Sequence, residues 1–240
     1  DSMRADVPRY LSLVPTQLLR LIETDPTPLT RLDAILVGGA ALPPAVAERA
    51  RAAGVPIVTT YGMTETAGGC VYDGVPLPGV SVNLEEGRVL LAGPMLATRY
   101  LEAADQPFRD VDGVRHLVTS DLGEWRDGRL AILGRADDVL ISGGVNVAPA
   151  AVEAAFTARL GGLWSVVGVP DERWGTLVVA VTERPVPLDD VRAAAGELPP
   201  AYRPRAVVVF GIPHLHSGKV DRRAVAAAAG WSGARRAGGR

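Results

Sequence analysis

The chain has 240 residues, with 25 basic and 27 acidic side chains, a formal net charge of −2 and 48% hydrophobic residues. This near-neutral balance excludes the strong positive field of a nucleic-acid or anionic-membrane binder, and no apolar run approaches the ~20 residues of a membrane span. A single cysteine, Cys70, excludes an intrachain disulfide framework and a multi-cysteine metal site. The opening "DSMRADVPRY" has no signal-peptide pattern, so the expected compartment is the cytoplasm.

Residues 1–60 alternate helix and strand patterns. "VPTQLLRLIE" places Pro15 at a first helical turn, with Leu18, Leu21 and Ile22 as its apolar stripe. "LDAILVGGA" reads as a buried strand ending in glycines. "PPAVAERARAAG" reads as a helix bounded by prolines and Gly54, and "VPIVTTYG" as the next strand. Strands separated by helices predict a parallel α/β layer. From about 75 to 133 the texture changes to short strands, "VSVNL", "RVLLAG" and "VRHLV". "EWRDGRLAIL" adds a hairpin at Asp127–Gly128, and the whole predicts an antiparallel sheet or partial barrel. Beyond Gly134, helix, strand, strand, helix, strand and helix patterns predict a small α+β unit. Its last helix is "DRRAVAAAAG", followed by a flexible tail.

Five stretches carry candidate chemistry, and each also has a plain structural reading. "TTYGMTETAGG" follows a strand, and its small residues let backbone N–H groups approach an anion. Thr64 and Thr66 can donate to phosphate, and Glu65 is a hard oxygen ligand of the kind Mg²⁺ takes alongside phosphates. The plain reading is a polar turn. "LVGGAALPP" offers bare backbone to a flat ligand, or is a tight turn. "TSDLGEW" places Asp121 at a strand end, where a carboxylate accepts both ribose hydroxyls, or is a turn aspartate. "GRADDVLISGGVNVAP" joins two segments: Arg135 can reach a ribose or phosphate and Asp137–Asp138 suit a hinge, or the stretch is an ordinary linker. Lys219 in "HSGKVDRRA" is the only lysine among 25 basic residues. An ammonium suits charge developing on one oxygen better than a planar guanidinium does; a solvated surface lysine is the alternative.

The order of "YGMTET", "TSDLGEW", "GRADDVLISGG" and "SGKVDR" resembles the adenylate-forming acyl-CoA ligase superfamily, over residues 10–228. "VVGVPDERWGTLVVAVT" resembles that family's small C-terminal domain. "SLVPTQLLRLI" with "TYGMTETAGGCVYDGVPLPGV" is most similar to its actinobacterial o-succinylbenzoate–CoA ligase branch, of menaquinone biosynthesis. The resemblance implies α/β and α+β architecture in two parts. Residues 1–134 would be the C-terminal portion of the large adenylation domain, a parallel α/β layer plus a β-rich subdomain. Residues 135–228 would be the small mobile C-terminal domain, and 229–240 a flexible tail.

Carried over residue by residue, the resemblance implies that Gly38, Gly39 and Ala40 line the adenine and acyl pocket. Tyr61 would stack on adenine, with Gly62 and Met63 in the pocket wall. Thr64 would contact the α-phosphate and Glu65 would ligate Mg²⁺. Asp121 would hold the ribose, assisted by Arg135. Asp137 would be the hinge, and Ser142, Gly143 and Gly144 would line the CoA path. Lys219 would bridge the substrate carboxylate and the α-phosphate. The implied partners are ATP (leaving as AMP), coenzyme A and a small-molecule carboxylate, with no nucleic acid and no membrane span; a homo-oligomer is compatible. The family's glycine-rich phosphate loop with its lysine and the segment gating the acyl site are not within these residues, so sequence upstream of Asp1 is expected. "PHLHSGK" also lacks the threonine often found before the family's Gly-Lys. Three alternatives stay open. One is another aryl- or fatty-acyl–CoA ligase, and a second is an adenylation domain that loads a carrier protein. The third is a nucleotide-binding module with little turnover.

Overall fold

A computed structural model describes residues 7–102, 105–216 and 218–237, with the side chains of 231–237 outside the description. The chain divides into two units, Asp1–Ile132 and Leu133–Arg240.

The first unit opens with strand β1 (Tyr10–Leu13), helix α1 (Pro15–Thr24), β2 (Ala34–Val37), α2 (Pro44–Ala52) and β3 (Ile57–Met63). β4 (Gly68–Tyr72) and β5 (Val75–Pro76) complete a sheet of order β1-β2-β3-β4-β5. β1, β2 and β3 are parallel, and β4 and β5 turn back antiparallel. The helix–strand alternation produces this, since parallel neighbours need a crossover. In α1, Pro15 fills the first turn and the Gln17 side chain accepts the Val14 N–H at 3.1 Å. The buried stripe differs from the expected one: Leu18 and Leu19 are buried, whereas Leu21 is 38% exposed. Positions 15, 18, 19 and 22 follow the helical repeat, and position 21 falls off it. Leu18 and Leu19 pack with Ile35, Val37, Val46 and Ala50 into one core.

A second sheet follows: β6 (Ser81–Glu85), β7 (Arg88–Ala92), β8 (Phe108–Val111), β9 (Val114–Arg126) and β10 (Arg129–Arg135). Its order is β10-β9-β7-β6, with β8 on β9. The antiparallel expectation holds for β6–β7, β7–β9 and β8–β9. Asp127–Gly128 makes the expected tight turn, with both residues at positive φ (48° and 72°). "VRHLV" and "TSDLGEW", with Arg126, prove to be one 13-residue strand. Asp121 therefore sits inside β9, not at a strand end.

The second unit begins with a hairpin, β11 (Leu140–Ser142) and β12 (Val145–Val147), inside the stretch that reads as joining the two segments. Then come α3 (Pro149–Leu160), β13 (Trp164–Asp171), β14 (Gly175–Thr182), α4 (Leu188–Ala194), β15 (Ala206–Val209) and α5 (Arg222–Ala237). β13 and β14 are antiparallel, and β15 runs parallel to β14. Alternation splits the sheet's faces: Val166, Val178 and Ala180 pack with Phe156 and Val191, while Val167, Val179 and Val181 pack with Val225 and Ala229. α5 continues past Gly230, where the sequence pattern stopped; residues 238–240 of the expected tail lie outside the described residues. Among the described residues no helix is long and apolar enough to cross a membrane.

One guanidinium ties this unit together. Arg222 forks onto Glu153, Nη1 to Oε1 at 2.6 Å and Nη2 to Oε2 at 2.8 Å. Its Nε lies 3.4 Å from Asp138 Oδ2, and Glu153 Oε1 also accepts the Val166 N–H at 2.7 Å. Burial opposes the charge, but the Glu153 and Asp138 carboxylates outweigh it and hold the Arg222 pKa above its ordinary value. Glu153→Ala should lower the unfolding free energy of this unit by about 2 kcal/mol, below the range for a fully buried pair, because the side chains are partly exposed and Asp138 remains. Urea unfolding measures it; a change below about 1 kcal/mol would show that solvent already screens the pair.

Candidate functional site

β2 and β3 run parallel toward the same edge of the sheet; β2 ends at Val37, opposite Thr59, and β3 runs on to Met63. This is the edge where parallel α/β sheets present ligand-binding loops. Gly38 follows β2, and its N–H extends the ladder to Leu13 O at 3.2 Å. A Cβ there would stand 2.2 Å from Thr60 Oγ1, so the approach of β3 requires glycine. Gly62 is more constrained: a Cβ would meet the Gly68 carbonyl oxygen at 1.9 Å. The β3–β4 register shifts at Tyr61/Gly62, a bulge at the strand's end.

After β3 the chain makes a 3₁₀ turn, Thr64–Thr66. Thr66 is buried, and its Oγ1 accepts the Met63 N–H at 2.9 Å while lying 2.7 Å from Gly68 O, to which it donates. That hydroxyl is thus spent on the turn. Thr64 is exposed, and Glu65 is half-buried. The Tyr100 phenol donates to Glu65 Oε1, and the Ala97 N–H donates to the Glu65 carbonyl at 2.8 Å. Among the described residues there is no cluster of three or more His, Cys, Asp or Glu side chains to hold a metal unaided. A lone carboxylate such as Glu65 fits Mg²⁺ that arrives on nucleotide phosphates, since that ion commonly takes only one or two protein carboxylates.

The Tyr61 hydroxyl donates to Asp121 Oδ2 at 2.7 Å, joining motifs 60 residues apart. Asp121 is 8% exposed, and its N–H bonds Thr119 Oγ1 at 3.0 Å. Burial first, and then the Asp121 charge and hydrogen bond, push the Tyr61 phenol pKa far above the usual tyrosine range. The first unit therefore gathers Gly38, Gly39 and Ala40 after β2, Tyr61, Gly62 and Met63 on β3, Thr64 and Glu65 in the turn, and Asp121 through its bond to Tyr61.

In the second unit, Arg135 pairs bidentately with Asp137 at 2.8 and 2.7 Å. Both side chains are about half exposed, so the pair adds little stability. Ser142 is buried at the end of β11, and Gly143–Gly144 turn the hairpin with φ of 56° and 79°. The Gly143 N–H donates to Trp174 O at 3.0 Å, and a Cβ on Gly143 would lie 3.0 Å from the Trp174 ring. Arg205 stands 4.1 Å over that ring. Lys219 is exposed at the base of a closed loop: the Leu215 N–H bonds Lys219 O at 2.8 Å, and His214 bridges to Val220. Ser217 lies outside the described residues. Sequence reasoning missed Tyr100, Trp174 and Arg222. Their partners are distant in sequence, so no local spacing could flag them.

The family model described as AMP-binding enzyme matches residues 3–101. A probable 2-succinylbenzoate–CoA ligase of Mycobacterium tuberculosis is 42% identical over 233 residues, covering 90% of this chain and 60% of that protein. A propanoyl:CoA ligase of Rhodococcus jostii, named for a methyl-dioxo-octahydroindenyl acyl group, is 32% identical and covers 90% of this chain and 49% of that protein. Among solved structures, an Escherichia coli MenE variant with bound OSB-AMS has a TM-score of 0.78 at 30% identity, covering 93% of this chain and 51% of that one. ATP-bound MatB from Rhodopseudomonas palustris has a TM-score of 0.80 at 27% identity, covering 92% of this chain and 51% of that one. The chain thus spans about half the length of these structures.

Tyr61→Phe keeps the ring and removes one donor from a buried carboxylate, so it should cost about 1–3 kcal/mol of stability at neutral pH. The native phenol pKa is raised, so this contribution is fully present below about pH 10, the ordinary tyrosine value, and fades at higher pH as the unfolded chain's phenol ionises while the native one holds its proton. Urea unfolding of both proteins across pH 7–11 checks the sign; a variant deficit that widened with pH would contradict it.

Proposed function

This chain belongs to the AMP-binding enzyme family, and from that premise we propose that it serves an AMP-forming ligase joining a carboxylic acid to coenzyme A. The acid we propose is o-succinylbenzoate, the acyl donor of the menaquinone branch. The observation that supports the reading is the Tyr61–Asp121 hydrogen bond, which joins the buried Asp121 carboxylate to an aromatic residue of the strand that leads into Thr64 and Glu65. In support of the substrate stand the 42% identity to the Mycobacterium protein and the likeness to the E. coli structure. The Rhodococcus relative, at 32% identity, supports a second reading: a ligase of the same reaction with a different acid.

In the proposed first half-reaction a substrate carboxylate oxygen attacks the α-phosphorus of ATP, the bond to pyrophosphate breaks, and an acyl-adenylate forms. The work asked of the protein is positioning and charge stabilisation. Tyr61 offers its face to the adenine, and Asp121 accepts from the ribose with Arg135 assisting. Gly38, Gly39, Ala40, Gly62 and Met63 supply closely approaching backbone and pocket wall. Thr64 donates to the α-phosphate, and Glu65 would hold Mg²⁺. When bound, that ion neutralises charge on the phosphates. The Lys219 ammonium is the point charge for the developing oxyanion. In the second half-reaction the thiolate of coenzyme A attacks the acyl carbon and AMP leaves. Rotation about Asp137 would exchange Lys219 for the backbone of Ser142, Gly143 and Gly144, so one site would serve two reactions.

Lys219→Ala is expected to slow adenylation by about 10²-fold or more while largely sparing thioester formation from supplied acyl-adenylate. Lys219→Arg should also be poor, because a fork does not reproduce one point contact. Pyrophosphate release and CoA-thioester assays separate the halves; equal loss in both would refute the role. Asp137→Pro should stiffen the hinge, preserving adenylation and reducing CoA transfer; unchanged transfer would count against a hinge there. A panel of aryl and fatty acids in the pyrophosphate assay tests the substrate. Nucleotide binding without pyrophosphate release from any acid would favour a binding module instead.

A further inference from the structure

Glu65 sits in a short 3₁₀ turn, half-buried, on a side chain with three rotatable bonds. A carboxylate so placed loses up to ~2 kcal/mol of rotamer entropy when a cation fixes it, unless something has fixed it already. The segment after β7 does this. Its Ala97 N–H donates to the Glu65 carbonyl at 2.8 Å, so backbone already fastens the segment to the turn. The segment is itself held: the Arg115 guanidinium donates to Ala97 O at 2.8 Å and Thr98 O at 2.6 Å, and stands 3.9 Å over the Phe108 ring. The Tyr100 backbone pairs both ways with the Gln106 amide, N–H to Oε1 at 2.8 Å and O to Nε2 at 3.2 Å. From this frame the Tyr100 hydroxyl reaches Glu65 Oε1. Tyr100 is 41% exposed, so burial does not force its hydroxyl inward. The backbone bond already closes the segment, so the phenol is not needed for that purpose.

We infer that Tyr100 is a positioning residue for the Glu65 carboxylate: its single donor proton occupies Oε1 and leaves Oε2 for a divalent cation that arrives with the nucleotide. The inference rests on the proposed metal role of Glu65. A phenol has one proton to give and no positive charge, so it orients one oxygen without competing for the metal's site as an arginine or lysine would. Hydrogen-bonded partners of ligating carboxylates typically account for about 10–100-fold in metal affinity.

The test uses Mn²⁺ as the probe, with a non-hydrolysable ATP analogue, and reads ternary-complex formation by water-proton relaxation. Metal-free nucleotide binding and the melting temperature are measured alongside. Tyr100→Phe is expected to weaken Mn²⁺ in the ternary complex by about 10-fold, leaving metal-free nucleotide binding and melting temperature unchanged. Glu65→Gln is the reference for losing the ligand itself and should weaken it further. Arg115→Gln loosens the frame but keeps the phenol, and should give a smaller loss than Tyr100→Phe. If Glu65→Gln weakens Mn²⁺ and Tyr100→Phe does not, the inference is overturned and the metal role of Glu65 stands. If neither variant changes Mn²⁺ binding, that role falls and the inference with it. If Tyr100→Phe lowers the melting temperature and metal-free nucleotide binding together, the phenol is a structural tie and the inference is again overturned.

Discussion

The first unit depends on a backbone contact that admits no side chain. Gly62 faces the carbonyl of Gly68 so closely that an added Cβ would overlap it at 1.9 Å. The contact falls where the sheet changes character: β3 pairs parallel with β2 on one edge and antiparallel with β4 on the other. The bulge at Tyr61/Gly62 lies in that changeover, and bulges re-aim neighbouring side chains. Here the re-aimed residue is Tyr61, which reaches Asp121 in a different sheet. The following 3₁₀ turn is locked by the buried Thr66 hydroxyl, so the exposed Thr64 and half-buried Glu65 emerge from a rigid base. The candidate site is thus built at the end of a central strand, where the surrounding sheet limits drift.

Much of this was legible from the sequence. Pro15 opening α1, the prolines and Gly54 bounding α2, and the Asp127–Gly128 hairpin follow from local rules, and the structure has them. The parallel layer followed from alternation alone. Legibility failed where the cause was not local. Asp121 reads as a strand end because Thr119, Ser120 and Asp121 resemble turn chemistry, yet there the register against β7 only shifts, and pairing resumes at Leu122, so β9 runs on past them. Leu18, Leu21 and Ile22 read as the core stripe from their helical spacing, but the overlapping repeat through 15, 18, 19 and 22 is the one that meets the core, and Leu21 is left exposed. The bonds from Tyr61 to Asp121 and from Tyr100 to Glu65 span 60 and 35 residues, and no spacing rule reaches that far.

The second unit solves a different problem. Its sheet is thin and buried on both faces, with α3 and α4 contributing to one apolar cluster and α5 to the other. Its polar ties are uneven. The Arg135–Asp137 pair, about half exposed, is a weak contact that breaks at little cost. The Arg222 fork onto Glu153, shared with Asp138, is shielded and strong. The two pairs thus differ in exposure, not in residue type, since both are aspartates facing arginines.

The loop that carries Lys219 has a further consequence. Because arginine fills every other basic position, a lysine-specific endoprotease finds a single bond to cut in the whole chain, after residue 219. That bond lies between the Leu215–Lys219 hydrogen bond and α5. A cut there would sever the backbone to the helix whose Val225 and Ala229 cover one face of the β13–β14–β15 sheet, leaving it held by non-covalent packing alone. The time course of that one cleavage is a direct gauge of how often the closed loop opens.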